Sequence, residues 1–269
     1  MSPYKPTGLN HEKICLTISA ILLSSHAMAD TNTAYVRNGN IYTHENQAFI
    51  GGGVITGSKF YKGQDHQTAA YLNGGYHGED FNADLAGINY RFLGSNEDIF
   101  NMSAFIAANP GFDSDKADIL AGMSDRKFSA DLGLNADIHL GQGTLTTKFQ
   151  HDVTGVYKSF QADITYYHPV NLGGIADLVP YAGVHYFSKD YVNYYTGVSQ
   201  SDATVGRPAY KSDGAFAYKV GYMLVIPVTE NLDVTQSTGY SYLDSNISDS
   251  PLVDSQNQWA TTFGISYAF

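Results

Sequence analysis

Between Lys127 and Leu140 the chain alternates without a break. Phe128, Ala130, Leu132, Leu134, Ala136, Ile138 and Leu140 share one face. Lys127, Ser129, Asp131, Gly133, Asn135, Asp137 and His139 share the other. A period of two residues is that of a β-strand. Strands in globular sheets run to about five or six residues, whereas a tilted membrane strand needs about 9–11. Other long alternating segments follow the same pattern. In 214–226, Phe216, Tyr218, Val220, Tyr222, Leu224 and Ile226 oppose small or polar neighbours. In 158–168, Phe160, Ala162, Ile164 and Tyr166 oppose Gln161, Asp163 and Thr165. In 259–269, Trp259, Thr261, Phe263, Ile265, Tyr267 and Phe269 oppose Ala260, Thr262, Gly264, Ser266 and Ala268.

Clear segments of this kind fall near 48–56, 67–77, 80–92, 98–108, 127–140, 143–154, 158–168, 178–188, 214–226, 232–243 and 257–269, with no helical period between them. The fold class is therefore all-β. Beyond the amino terminus no apolar run is long enough for a membrane helix. A sheet within a membrane must close, because an open edge leaves backbone groups unpaired in lipid. Connections alternate between short (Gly141-Gln142, 93–97, 169–177, 227–231) and long (109–126, 189–213, 244–256), with 155–157 the exception. Short periplasmic turns and long outer loops mark an outer-membrane barrel. Tyr166, Tyr186, Tyr242 and Tyr267 sit at or near strand ends, where an aromatic girdle belongs. The expectation is a transmembrane antiparallel β-barrel with a narrow lumen filled by side chains. Bacterial barrels have an even strand number. Twelve strands are expected, the twelfth in 33–43 or 191–198, with ten the alternative. The aromatic Phe269 resembles the carboxy-terminal signal read by the barrel-assembly machinery, and outer-membrane lipid and lipopolysaccharide would surround the wall.

Residues 1–29 have the form of a cleaved signal peptide: Lys5, His11 and Lys13, then an apolar segment from Ile14 to Leu23, then Ala27-Met28-Ala29. The barrel domain is then 30–269. The one cysteine, Cys15, lies in the removed segment, so disulfides and thiolate chemistry are excluded from the mature chain. Cleavage takes Lys+Arg from 15 to 13 and Asp+Glu from 26 to 25, a net charge of −12. That balance argues against nucleic acid as a partner.

Chemistry-bearing residues are few. Asp131, Asp137, Lys148, Asp152, Asp163 and Lys219 should face the lumen, most simply as a charge-paired plug. Asp137 and His139 share a face but stand at the periplasmic end, and no serine is placed beside His151 or His168. Asp113, Asp115 and Asp118 lack the glycine and terminal glutamate of a calcium loop. No catalytic, cofactor or metal site is expected. Tyr191, Tyr194, Tyr195 and Tyr210 suit either protein recognition or an inward-folded cap.

Four segments carry a family resemblance. They are Gly51-Gly52-Gly53 with Tyr61-Lys62-Gly63-Gln64-Asp65; Leu120-Ala121-Gly122-Met123-Ser124-Asp125-Arg126; Tyr194-Tyr195-Thr196-Gly197-Val198-Ser199 with Tyr210; and Leu243-Asp244 with Ser250-Pro251-Leu252-Val253. In order and spacing the chain resembles the MipA/OmpV family of outer-membrane proteins from about Ala48 to Phe269. The resemblance implies an outer-membrane structural or interaction protein, a scaffold for a lytic transglycosylase and a penicillin-binding protein. The readings kept beside it are a surface adhesin working through the long loops and a narrow small-solute pore. It assigns no catalytic role to the motif positions.

Overall fold

The computed structural model describes residues 34–42, 44–64 and 67–269. The expected signal peptide at 1–29 and the motif residue Asp65 lie outside the described residues. A small hairpin comes first, β1 (Tyr35–Arg37) and β2 (Asn40–Tyr42). Next are β3 (Gln47–Gly57), β4 (Gln67–His77), β5 (Phe81–Asp84), β6 (Gly87–Leu93) and β7 (Phe100–Asn109). Then follow β8 (Ser129–Leu140), β9 (Gly143–Asp152), β10 (Phe160–Tyr167), the two-residue β11 (Val170–Asn171) and β12 (Asp177–Phe187). Helix α1 (Lys189–Thr196), β13 (Ala215–Pro227), β14 (Leu232–Leu243), helix α2 (Ser245–Ser248) and β15 (Asn257–Ala268) complete the order.

Neighbours pair antiparallel from β3 round to β10, β10 pairs with β12, and β12 to β15 lead back to β3. Twelve strands close the barrel among the described residues, as expected. The wall follows the period-two pattern. Trp259, Phe263 and Ile265 are half-exposed on the outside, while Thr262 and Ser266 are buried inside. The small inward residues of β15 make room for a neighbour: a methyl group at Gly264 would lie 2.8 Å from the Tyr71 hydroxyl.

The twelfth strand is in neither place proposed from the sequence. Segment 191–198 is mostly the helix α1, and 35–42 is a separate two-stranded sheet. The extra strand comes from 80–92, which is two strands rather than one. Phe81, Ala83 and Leu85 point outward on odd numbers, then Ile88, Tyr90 and Phe92 on even ones. That slip of phase is a turn at Leu85-Ala86, with Asp84 accepting from Ala86 N at 2.7 Å and Gly87 at φ 134°.

The lumen also differs from the expectation. It holds side chains, but its centre is taken by the β1–β2 hairpin. Asn38 and Gly39 have φ of 55° and 63°, as a two-residue type I′ turn requires. Glycine is needed at 39 for space as well, because a Cβ there would lie 2.6 Å from Lys148 Cε. Ala34, Val36 and Ile41 pack against Val179, Met223 and Val225 of the wall.

Candidate functional site: the lumen and its outer roof

The wall carboxylates hold backbone. Asp137 accepts from Asn38 N at 2.6 Å and from Thr146 Oγ1 at 2.7 Å, and Asp177 accepts from Ala34 N at 3.0 Å. These contacts fasten the hairpin inside the barrel. Tyr167 adds a hydroxyl bond to Gly39 O at 3.2 Å. At the periplasmic rim Arg37 donates to Glu45 at 2.6 Å, Asn96 at 2.9 Å and Gly78 O at 2.6 Å. Arg91 joins the same network through Asn96 at 2.7 Å and Asp80 at 2.8 Å. Sequence reasoning missed this plug, although Asn-Gly between short apolar stretches is the strongest short-range hairpin signal.

His44 follows β2 at the base of the plug. Burial, then the nearby His77, lowers its pKa to about 4 from the usual 6.5. The folded state therefore favours neutral His44. Its contribution is complete above about pH 6.5 and is lost as pH falls from there toward about 4. Hydrogen exchange of the hairpin amides, corrected for intrinsic rate, is expected to quicken across that window. His44→Gln should flatten the dependence.

A cluster of inward charges forms across β9, β10, β12 and β13. Asp163 lies 2.6 Å from Lys219 Nζ and 3.3 Å from His185 Nδ1. Lys148 is directly across the strand pair from Asp163. Its ammonium sits 5.7 Å from the Phe105 ring centre instead. Asp131 accepts from Gln150 Nε2 at 2.6 Å. Asp152 accepts from the backbone of Thr154, Gly155, Tyr157 and Lys158 and so shapes the 153–159 loop. Asp137 and His139 do not pair: His139 contacts Thr144 Oγ1 at 3.0 Å and Asn101 Nδ2 at 3.1 Å. His151 and His168 contact Asp152 O and the Tyr166 hydroxyl. Among the described residues no group of His, Cys, Asp and Glu is arranged to hold a metal ion.

The motif positions assemble elsewhere, in a roof over the long-loop end. Tyr61 donates to Tyr195 O at 3.0 Å, and Ser250 Oγ donates to Thr196 O at 2.6 Å. Pro251 turns the chain between that contact and Leu252, whose carbonyl accepts from Lys62 N at 3.0 Å. Tyr194 accepts from Lys127 N at 2.8 Å, and the Arg126 guanidinium stands 5.4 Å from its ring. Val198 and Tyr210 form an isolated bridge, and the Tyr210 hydroxyl reaches Asn246 O at 3.3 Å. Asp244 caps α2 through Asn246 N at 2.8 Å, and Asp125 accepts from Ser114 N at 2.8 Å. Gly63 and Gly122 turn at φ 71° and 80°. Gly197 ends α1 by donating to Asn193 O, and Ser199 closes a turn on Asp202 at 2.6 Å. Phe269 lies at the other end of the barrel, its N–H on Ala48 O at 2.9 Å.

The roof has its own core. Tyr61, Tyr157, Tyr191, Tyr195, Leu252 and Val253 are buried together. Burial raises the hydroxyl pKa of Tyr157, Tyr191 and Tyr195 above the usual range, so all three stay protonated. Of the two roles open to the tyrosine-rich loop, the inward cap is the one the structure adopts for Tyr191 and Tyr195. Arg207 was missed by sequence reasoning. It is buried and donates to Ile119 O at 2.6 Å and Ala121 O at 3.0 Å, joining two loops. A lone loop arginine carries no such signal.

The family model described as MltA-interacting protein MipA matches residues 50–269. The chain belongs to the MipA/OmpV family. Over 259 residues it is 46% identical to outer membrane protein OmpV of Vibrio cholerae, covering 96% of this chain and 100% of that one. It is 44% identical to outer membrane protein Omp26La of Vibrio anguillarum, with the same coverage. Among solved structures, an outer-membrane channel from Pseudomonas putida aligns with TM-score 0.42 and 8% identity, over 90% of this chain and 100% of that one. The chain is thus an outer-membrane protein of the MipA/OmpV family, and its named relatives are outer-membrane proteins.

Proposed function

We propose that this MipA/OmpV member is an interaction protein whose working surface is the periplasmic mouth of the barrel. There it would scaffold murein-remodelling enzymes, a lytic transglycosylase and a penicillin-binding protein. One observation carries the reading. The roof lies over the outer mouth and the hairpin fills the barrel axis, while the periplasmic end keeps a concavity of about 680 Å³. Arg37, Glu45, Arg91, Glu97 and His139 line it, on a rim braced by the Asn96 network. A concavity of mixed apolar and charged lining, with arginines on its rim, suits a protein contact. The family description, MltA-interacting, supports the same reading.

The test is site-specific photocrosslinking in cells. Probes at the exposed Glu97 and Gln142 should capture a lytic transglycosylase or a penicillin-binding protein. A probe at the fully exposed Val205 of the outer loops should not. Capture of no murein enzyme from either periplasmic position overturns the proposal, and partners at Val205 alone favour the adhesin reading.

A further inference from the structure

The wall is incomplete on one side. Strand β4 pairs with β5 only at Tyr76↔Ala83 and His77↔Asn82, with Gly75 still against Ala83 and Asp84, so 67–74 have no strand beside them on that flank among the described residues. Strand β6 pairs with β7 from Met102 up to Ile106, which leaves 107–109 of β7 with a partner only in β8. Between these two edges is a window in the outer half of the barrel. Its sill is the Leu85-Ala86 turn, held by Leu85 N donating to Asn73 Oδ1 at 3.0 Å. Its lintel joins two outer loops: Gln64 bridges Ala117, and Asp118 N donates to Gly63 O at 3.3 Å. The roof is closed above it.

The rim is apolar. Leu72 is 84% exposed, against 58% for Ile50 on the fully flanked β3, and Leu85 and Ile106 are half-exposed. Behind the window lies a cavity of about 230 Å³. Ala86, Ala108 and Pro110 line its near side. Ala107 faces inward and Ala108 outward on β7, so the cavity reaches the wall at the edge of the window. Hydrocarbon cannot pair the open backbone edge of β4, so the gap suits water or a polar guest.

The far side of the cavity carries Lys148, Asp163, His185 and Lys219 among Phe105, Tyr167 and Tyr181. Asp163 is already bound by Lys219 and His185. Asp137 is occupied by Asn38 N and Thr146. Lys148 has no carboxylate within ion-pair distance among the described residues; its ammonium lies 5.7 Å from the Phe105 ring centre and close against Gly39. Among the lining charges two ammonium groups stand against one carboxylate, between aromatic walls. A dry cavity of about 150 Å³ holds benzene. A somewhat larger one with a free ammonium fits a benzene ring bearing a carboxylate.

We propose that this cavity binds a small aromatic carboxylate, which reaches it sideways from the outer leaflet through the window between β4 and β7. The ring would lie against Phe105 and Tyr167, and the carboxylate would take a charge-assisted bond from Lys148. The site is separate from the periplasmic surface and stands or falls independently of the scaffold reading.

The test is fluorine NMR of 4-fluorobenzoate with the full-length mature protein in nanodiscs, using empty nanodiscs as blank and 4-fluorobenzyl alcohol as the neutral comparator. Protein-dependent broadening is expected for the anion, with binding at least about tenfold weaker for the alcohol. Lys148→Met should weaken the anion by a similar factor and Lys148→Arg should retain it. Ala108→Trp, on the outer face, should slow exchange through the window. A heat-dependent gel shift checks that each variant has folded. No broadening above the blank, or equal binding of alcohol and anion by the wild-type protein, overturns the proposal without recourse to any variant. Unchanged binding by Lys148→Met removes the anion site, and unchanged exchange in Ala108→Trp removes the lateral route.

Discussion

Asp163→Leu is expected to destabilise the barrel by about 3–5 kcal/mol, the usual cost of stripping one partner from a buried ion pair. Asp163 is 8% exposed and faces Lys219 at 2.6 Å and His185 at 3.3 Å. Lys148 stands across the strand pair from the same carboxylate. Removing it leaves two ammonium groups facing each other in a lumen where the plug restricts water. Asp137 holds Asn38 N and Thr146 Oγ1 and makes no ion pair with either lysine. Adding Lys219→Met should recover more than half of the loss, since the cost is mainly the orphaned charge. Urea titration of the barrel in lipid vesicles, followed by the heat-dependent gel shift, measures both variants. A single variant as stable as wild type would show that water screens these charges, and an unrescued double variant that packing rather than charge sets the cost.

Tyr195→Ala should have an effect of similar size but confined to the roof. Its ring is 2% exposed and lies 4.7 Å from that of Tyr191 and 4.9 Å from that of Tyr194, centre to centre. Truncating a buried aromatic side chain costs about 3–5 kcal/mol. The roof rests on side-chain packing and single hydrogen bonds, whereas the wall has continuous strand ladders. The roof should therefore open while the wall holds. Limited proteolysis is expected to cut within 189–213 at the outer end, at a rate at least about a hundredfold above wild type. The gel shift of the folded barrel should persist. Cleavage at the wild-type rate would mean that Tyr61, Leu252 and Val253 hold the loops without it. The exposed Lys189–Asp213 pair at 2.6 Å, at the stem of the same loop, should matter far less, because water screens it.

Much of the wall was legible because its rule is local. A strand between lipid and lumen must alternate, and Trp259, Phe263 and Ile265 announce their face without knowledge of any neighbour. The phase slip between Leu85 and Ile88 was equally local and was overlooked; read strictly, it yields the twelfth strand. The motif positions were legible as a set, but their joint purpose was not. Tyr61, Tyr195 and Ser250 are far apart in the chain and meet only through the closed barrel.

The sequence by itself determined the class of fold, the face each wall residue presents and the side on which the long loops lie. Period and loop length follow from bilayer thickness and from the need to pair every backbone group in lipid. Only the tertiary structure decided what fills the barrel and what covers it. Asp137 reads the same in sequence whether it meets a lysine, water or the N–H of Asn38. Lys148 gives no sign that Lys219 will take the carboxylate opposite it. Those outcomes depend on which strands curve round to face one another, and on a short hairpin, β5–β6, that stops below the full height of the wall and leaves the window open.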